Sequence, residues 1–242
     1  SVTGVQTCAL PIFLANASDV SISASAFDSN DCKESRAVRI QGSAWSSAKD
    51  KSVKILDCIF QNNSGGGISV SSILRSEILI SDSVFEKNRA ESVGGAIEID
   101  KCNDCTFQIN SSRIRSNKAV SHGGAVHIQH SSGVMTFLHS EFQLNKADTH
   151  GGAVRIWDSS GTMAFLNSEF SLNEAGSIGG GVLIFEAFGN MTFLGSEFRS
   201  NEAGSDGGAV DIYSSSGNMT FLGSEFEWNQ AGSIGGGVMI FK

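Results

Sequence analysis

The sequence predicts an all-β solenoid of about eight coils, each ~28 residues long, and three observations predict it. Phe137-Leu-His-Ser-Glu-Phe142 returns as Phe165 to Phe170, Phe193 to Phe198 and Phe221 to Phe226, at intervals of 28 residues. A pair of β-branched residues two apart follows each hexapeptide, as in Val154 and Ile156, Val182 and Ile184, Val210 and Ile212, and Val238 and Ile240. Between the two, an Asn and a Gly-Gly step recur at constant offsets. A period of this size marks stacked units, each of which buries its apolar side only against its neighbours.

The first element of each coil is a strand that ends near the second Phe of the hexapeptide. Taking that Phe as an anchor, the register runs back through Phe27, Phe60, Phe85 and Ile114 to the regular Phe142, Phe170, Phe198 and Phe226. Five residues upstream stand Ile22, Ile55, Ile80, Ile109, Phe137, Phe165, Phe193 and Phe221. Seven upstream stand Val20, Val53, Ile78, Phe107, Met135, Met163, Met191 and Met219. Apolar residues two apart face one side of a strand, and this strand is expected to bend into two. The second element is the Val-x-Ile strand. Parallel stacking sets equivalent residues about 4.8 Å apart, so the apolar positions form continuous interior columns.

The turns repeat as well. Asn30, Asn63, Asn88, Asn117, Asn145, Asn173, Asn201 and Asn229 each follow an anchor by three residues and read as an internal hydrogen-bonding ladder. Asn also tolerates positive φ. Gly94-Gly95, Gly123-Gly124, Gly151-Gly152, Gly179-Gly180, Gly207-Gly208 and Gly235-Gly236 read as corners needing positive φ or close approach. A phosphate-cradling loop is the weaker reading, because no helix follows and no Lys-Ser/Thr is attached.

The combination of Phe-x-x-Asn with Gly-Gly-Ala/Gly-Val/Ile resembles the repeats of chlamydial polymorphic outer-membrane proteins, and more widely right-handed parallel β-helix surface proteins. The resemblance covers roughly residues 18–242. It implies a right-handed parallel β-helix and a surface-exposed, adhesin-like passenger. Two departures are Ser35-Arg36 in coil one, where Gly-Gly is expected, and Ile114 in place of Phe.

Residues 1–12 do not follow the repeat. They resemble a translated sequencing adapter and are set aside as an artefact, which leaves 13–242 as one β-helix domain. That domain contains no proline, as suits unbroken ladders. It begins at a strand and stops inside a coil, so truncation at both ends is expected, and with it end-to-end self-association through bare sheet edges. The net charge of −8 argues against nucleic acid as a partner. No apolar run approaches the ~20 residues of a membrane-spanning helix.

Several columns carry candidate chemistry. Cys102-Asn-Asp-Cys105 is a lone C-x-x-C with three readings: a local disulfide, free thiols, or part of a metal site. No metal site is assigned, because a second ligand pair is missing. Cys58 occupies a column of serines and reads as a small buried filler. His122 and His150 occupy one column and should stack, sharing a metal or lowering each other's pKa, unless the clustering is fortuitous. Glu141, Glu169, Glu197 and Glu225 form an outward column that is either solvated or relieved by a cation.

The column that stands out is Trp157, Phe185, Tyr213 and Phe241, which strand alternation points outward. Beside it run Arg155, Leu183, Asp211 and Met239. An outward aromatic row stacks on sugar rings or anchors a protein partner; the alternative is mutual stacking that seals a corner. Leu138, Leu166, Leu194 and Leu222 pose the same choice. Glu98, Asp100 and His127, with Arg155 one coil on, are the nearest approach to a catalytic group, yet they lack the paired carboxylates of glycoside hydrolysis. The expected function is therefore a non-catalytic, cofactor-free binding scaffold, extracellular or at the cell surface, whose partner is a carbohydrate or a cell-surface protein. The alternatives are a fragment of a pectin-lyase-like carbohydrate-active enzyme and a purely structural spacer.

Overall fold

The computed structural model describes residues 2–7, 12–15, 19–31, 36–42 and 51–241. Cys8, Pro11 and Ser35 lie outside them. Among the described residues every regular element is a β-strand. All strand pairs are parallel, and partners sit one coil apart in register, as Val154 with Val182 and Phe142 with Phe170. The chain is thus a β-solenoid of about eight turns, as its period predicts.

Three sheets run along the stack. The second consists of nine strands, from Ile12–Ala15 through the Val-x-Ile strands to Val238–Phe241. The third is narrow, built from two-residue strands such as Lys146–Ala147 and Glu174–Ala175. The first contains both halves of the bent strand, for example Ser132–Leu138 and Glu141–Gln143. The strand bends into two, as expected. Residues of positive φ occupy the bend in successive coils: Asp82, Ser111, His139, Asn167, Gly195 and Gly223. In coil one the strand stays continuous as Asp19–Asp28, with its bend at Ala24, and so joins the two halves into one sheet.

The segment set aside from the repeat also has a place. Val2–Thr7 runs parallel to Asp19–Asp28. Any β-capable stretch satisfies the open edge of a sheet, so this pairing is independent of the segment's origin.

The core is the set of predicted columns. Phe142, Phe170, Phe198 and Phe226 stack with ring centroids 4.7, 4.8 and 5.0 Å apart. Phe137, Phe165, Phe193 and Phe221 form a second pile at 4.7–4.8 Å. The two piles meet edge to face, as Phe165 does with Phe170 at 5.8 Å. Offset and edge-on contacts of this kind add about 0.5–1.5 kcal/mol each beyond area burial.

The Asn column is buried from Asn30 to Asn201, and its ladder runs on to the half-buried Asn229, each Nδ2 donating to the Oδ1 of the next coil's Asn. One expectation is corrected here. Positive φ falls on the preceding residue (Ser116, Leu144, Leu172, Ser200 and Trp228), and the Asn contributes only its side chain. The turn needs a left-handed residue to expose that position and a carboxamide to saturate the interior, and the two demands fall on neighbours. Leu144, Leu172 and Trp228 are exposed as a result.

A serine ladder lies beside it. Ser112, Ser140 and Ser168 each donate their backbone N–H to the Oγ one coil on, at 3.2 Å. Cys58 sits in this column, buried, its N–H donating to Ser83 Oγ at 3.1 Å, as a filler should.

The Gly-Gly corners use both glycine properties. The first glycine has φ between 58° and 68°. A Cβ on the second would stand 2.1 Å from the next coil's carbonyl oxygen, as Gly152 against Gly180. Coil one departs from the rule because Arg36 acts across two coils: its guanidinium donates to the carbonyls of Val93 and Gly94 and pairs with Glu98 at 3.1 Å.

Candidate functional site

The outward side of the second sheet is built by the Gly-Gly corner as much as by the strand. Because the first glycine turns left-handed, the bend folds back over the strand that follows it. An added Cβ at Gly151, Gly179 or Gly207 would meet the Cβ of Arg155, Leu183 or Asp211 at 2.9, 2.8 and 2.5 Å. The residue before each corner therefore stands over the residue five positions later, as His122 over His127 with rings 6.2 Å apart.

This back-folding corrects the reading of the row Arg155, Leu183 and Asp211. Those side chains leave the strand on the side away from the core, but they are covered. Arg155 is 7% exposed and Asp211 2%. The row keeps polar groups in a layer that excludes most water, and three of their atoms are buried without hydrogen-bond partners: His127 Nδ1, Arg155 Nε and Asp211 Oδ1. Burial raises the Asp211 carboxyl to about 6, helped by the nearby Asp206 charge. Burial lowers His127 to about 3 and His122 to about 4, with the Arg155 charge adding to both. His150 is lowered for the same reasons.

The aromatic row lies one position beyond, at the open margin of this layer. Phe185, Tyr213 and Phe241 stack in sequence with centroids 5.5 and 5.0 Å apart, and Tyr213 and Phe241 are 39% and 50% exposed. Trp157 belongs to the column but is engaged differently. The Arg155 guanidinium lies 5.0 Å from its ring centre and the His130 ring 5.0 Å away. Its Nε1 donates to Glu186 Oε2 at 3.0 Å. Trp157 is thus the fixed, half-buried end of a row whose other end is open.

Glu186 and His130 escaped the sequence reading. Both occupy corner positions of positive φ, where strand alternation gives no direction. The covering role of His122 and His150 escaped it too, since a fold-back is invisible to a period-two pattern.

The other candidates resolve as follows. Cys102 and Cys105 form a disulfide, with Cα atoms 5.7 Å apart, at the corner between the second and first sheets. His122 and His150 stack at 4.9 Å, Nδ1 to Nδ1 3.2 Å. Among the described residues no three His, Cys, Asp or Glu side chains converge as metal ligands. In the glutamate column, Arg199 bridges Glu197 and Glu225 at 3.1 and 3.4 Å. Leu138 and Leu166 are half-buried, while Leu194 and Leu222 point out and are exposed.

Glu98, Asp100 and His127 each make an internal contact. Glu98 is tied to Arg36, Asp100 accepts from His130 Nδ1 at 3.1 Å, and His127 is fully buried against Gln129 at 3.0 Å. A polar cleft of about 530 Å³ opens on this face in the first coils, lined by Arg36, Arg39, Gln41, Ser69, Glu98 and Asp100.

Among the described residues no helix is long and apolar enough to cross a membrane. The chain matches no curated protein. Among solved structures, the Streptococcus pneumoniae surface protein and adhesin PfbA aligns over 96% of this chain and 91% of its own, at 7% identity and a TM-score of 0.26. That level of likeness carries no argument about this chain. Residues 5–170 match the family described as the right handed beta helix region. With the parallel sheets, the single-coil register and the interior ladders already in place, the chain belongs to the right-handed β-helix family.

Proposed function

We propose that the chain is a non-catalytic binding scaffold, extracellular or at the cell surface, that holds an extended carbohydrate along the second sheet's outward face. One observation carries the reading: Phe185, Tyr213 and Phe241 present a stacked, partly exposed aromatic row at one-coil intervals. Flat apolar surface at a regular spacing suits a polymer of rings, and its exposure costs solvation that a ligand recovers. Arg155 and Asp211, covered by the corners next to the row, each keep a buried polar atom without a hydrogen-bond partner. The disulfide Cys102–Cys105 favours an oxidising compartment. The engagement of Glu98, Asp100 and His127 in internal contacts favours binding over catalysis.

The test is binding of the chain to a polysaccharide array beside Tyr213→Ala and Trp157→Ala variants. Saturable binding that Tyr213→Ala weakens is expected, by about tenfold for the loss of one stacked ring. Binding unchanged in both variants removes the aromatic row from the site. A chain that binds no polysaccharide overturns the carbohydrate reading and leaves a protein ligand or a spacer; depolymerisation of the glycan would favour the enzyme alternative.

A further inference from the structure

Arg155 is a buried cation. Among the described residues it makes no ion pair, and its Nε has no hydrogen-bond partner. Glu186, the acid whose field reaches it, accepts the indole N–H of Trp157. His122, His127 and His150 all feel its charge, and His127 Nδ1 is likewise buried and unpartnered.

An uncompensated buried charge is among the costliest features a fold can hold. Here its cost is reduced by the Trp157 ring, whose centre lies 5.0 Å from the guanidinium carbon. A guanidinium fork matches the paired oxygens of a carboxylate or sulfate. At neutral pH the three imidazoles are held uncharged by burial, so the positive charge is that of Arg155 alone.

We propose that Arg155 receives an oxyanion group, carboxylate or sulfate, and that the glycan taken by this face is acidic. The glycan part rests on the proposed function above. The anion site itself stands on Arg155 and its surroundings.

The experiment uses the full chain with Trp45→Phe and Trp228→Phe, so that Trp157 is the only indole. Its emission is followed while sodium glucuronate or sodium sulfate replaces sodium chloride at constant ionic strength. A saturable change is expected with at least one anion, weakened about tenfold or more in Arg155→Met, whose circular dichroism stays native. Removing an unpaired buried charge should also leave the melting temperature unchanged or raised, whereas a merely structural arginine would lower it. No saturable response of the unsubstituted protein to either anion overturns the proposal, whether or not Arg155→Met folds. An identical response in Arg155→Met does the same.

Polymers separate this proposal from the reading it builds on. Hyaluronan presents carboxylates, dextran sulfate presents sulfates, and plain dextran presents neither. Preference for one acidic polymer that Arg155→Met abolishes supports the site and identifies the group. Binding of all three polymers, sensitive to Tyr213→Ala and indifferent to Arg155→Met, keeps the aromatic face and sinks the anion site. Saturation by the small anions with no polymer bound keeps the anion site and sinks the glycan reading.

Discussion

Asn145 donates from Nδ2 to Asn173 Oδ1 on the next coil at 3.0 Å, and also to the Ile114 carbonyl at 2.8 Å. Its own Oδ1 accepts the backbone N–H and the Nδ2 of Asn117. Every hydrogen-bonding capacity of one buried carboxamide is filled by neighbours that are filled in turn.

Asn145→Ala should therefore strand polar groups on two adjacent coils. Each buried unsatisfied group costs about 1–3 kcal/mol, so a loss of about 3 kcal/mol or more is expected in urea unfolding. A loss under about 1 kcal/mol would mean that water or backbone adjustment replaces the ladder.

The two kinds of glycine should respond differently. Gly152→Ala sets a methyl 2.1 Å from the Gly180 carbonyl, and rigid ladders on both sides resist the shift it needs. Gly223→Ala has nothing within 4 Å and suffers only its φ of +60°, a cost of about 1–2 kcal/mol. Thermal unfolding of both variants checks the order; equal melting temperatures would contradict it.

Stability should depend on pH through two opposed groups. Asp211 has its carboxyl raised to about 6 from 3.8, so the folded chain holds more protons than the unfolded chain between those values. Its contribution is complete below about pH 4 and is lost as pH rises through about 6. His127 and His122 are lowered to about 3 and 4 from 6.5. Their contribution is complete above pH 6.5 and is lost as pH falls toward those lowered values. Asp211→Asn should remove the decline between pH 4 and 6 and leave the acid-side loss in place. Unfolding curves across this range decide it, and a parallel pH profile for the variant would refute the assignment.

Reduction of Cys102–Cys105 should cost little, since the closed loop is short: chain-entropy reasoning gives about 2 kcal/mol. Cys58→Ser should cost under about 1 kcal/mol, because its column is otherwise serine and its N–H already bonds Ser83. Melting with and without reductant tests the first; a large loss in Cys58→Ser would contradict the second.

The last coil of this chain leaves Phe221, Phe226 and Ile240 partly exposed at the ends of their sheets. Concentration-dependent association of the 242-residue chain is expected at tens of micromolar. A single monomeric boundary in sedimentation at that concentration would count against it.

What the sequence by itself determined is the solenoid: its period, its interior columns of Phe, Ile and Val, its Asn ladder, the division of its first strand into two, and an aromatic row on the side of the strand away from the core. These follow from repetition, because parallel stacking converts a recurrent residue into a continuous column whatever its detailed geometry. The tertiary structure alone decided what covers what. The left-handed glycine folds each corner back over the next strand, so Arg155 and Asp211, outward by alternation, are buried beneath it. Across-coil contacts decided the rest. Arg36 reaches the carbonyls of Val93 and Gly94 two coils away, and Trp157 is held by Arg155, His130 and Glu186. A period-two pattern reports which side of a strand a residue leaves from; whether that side meets solvent depends on segments folded over it, and only the folded chain brings those together.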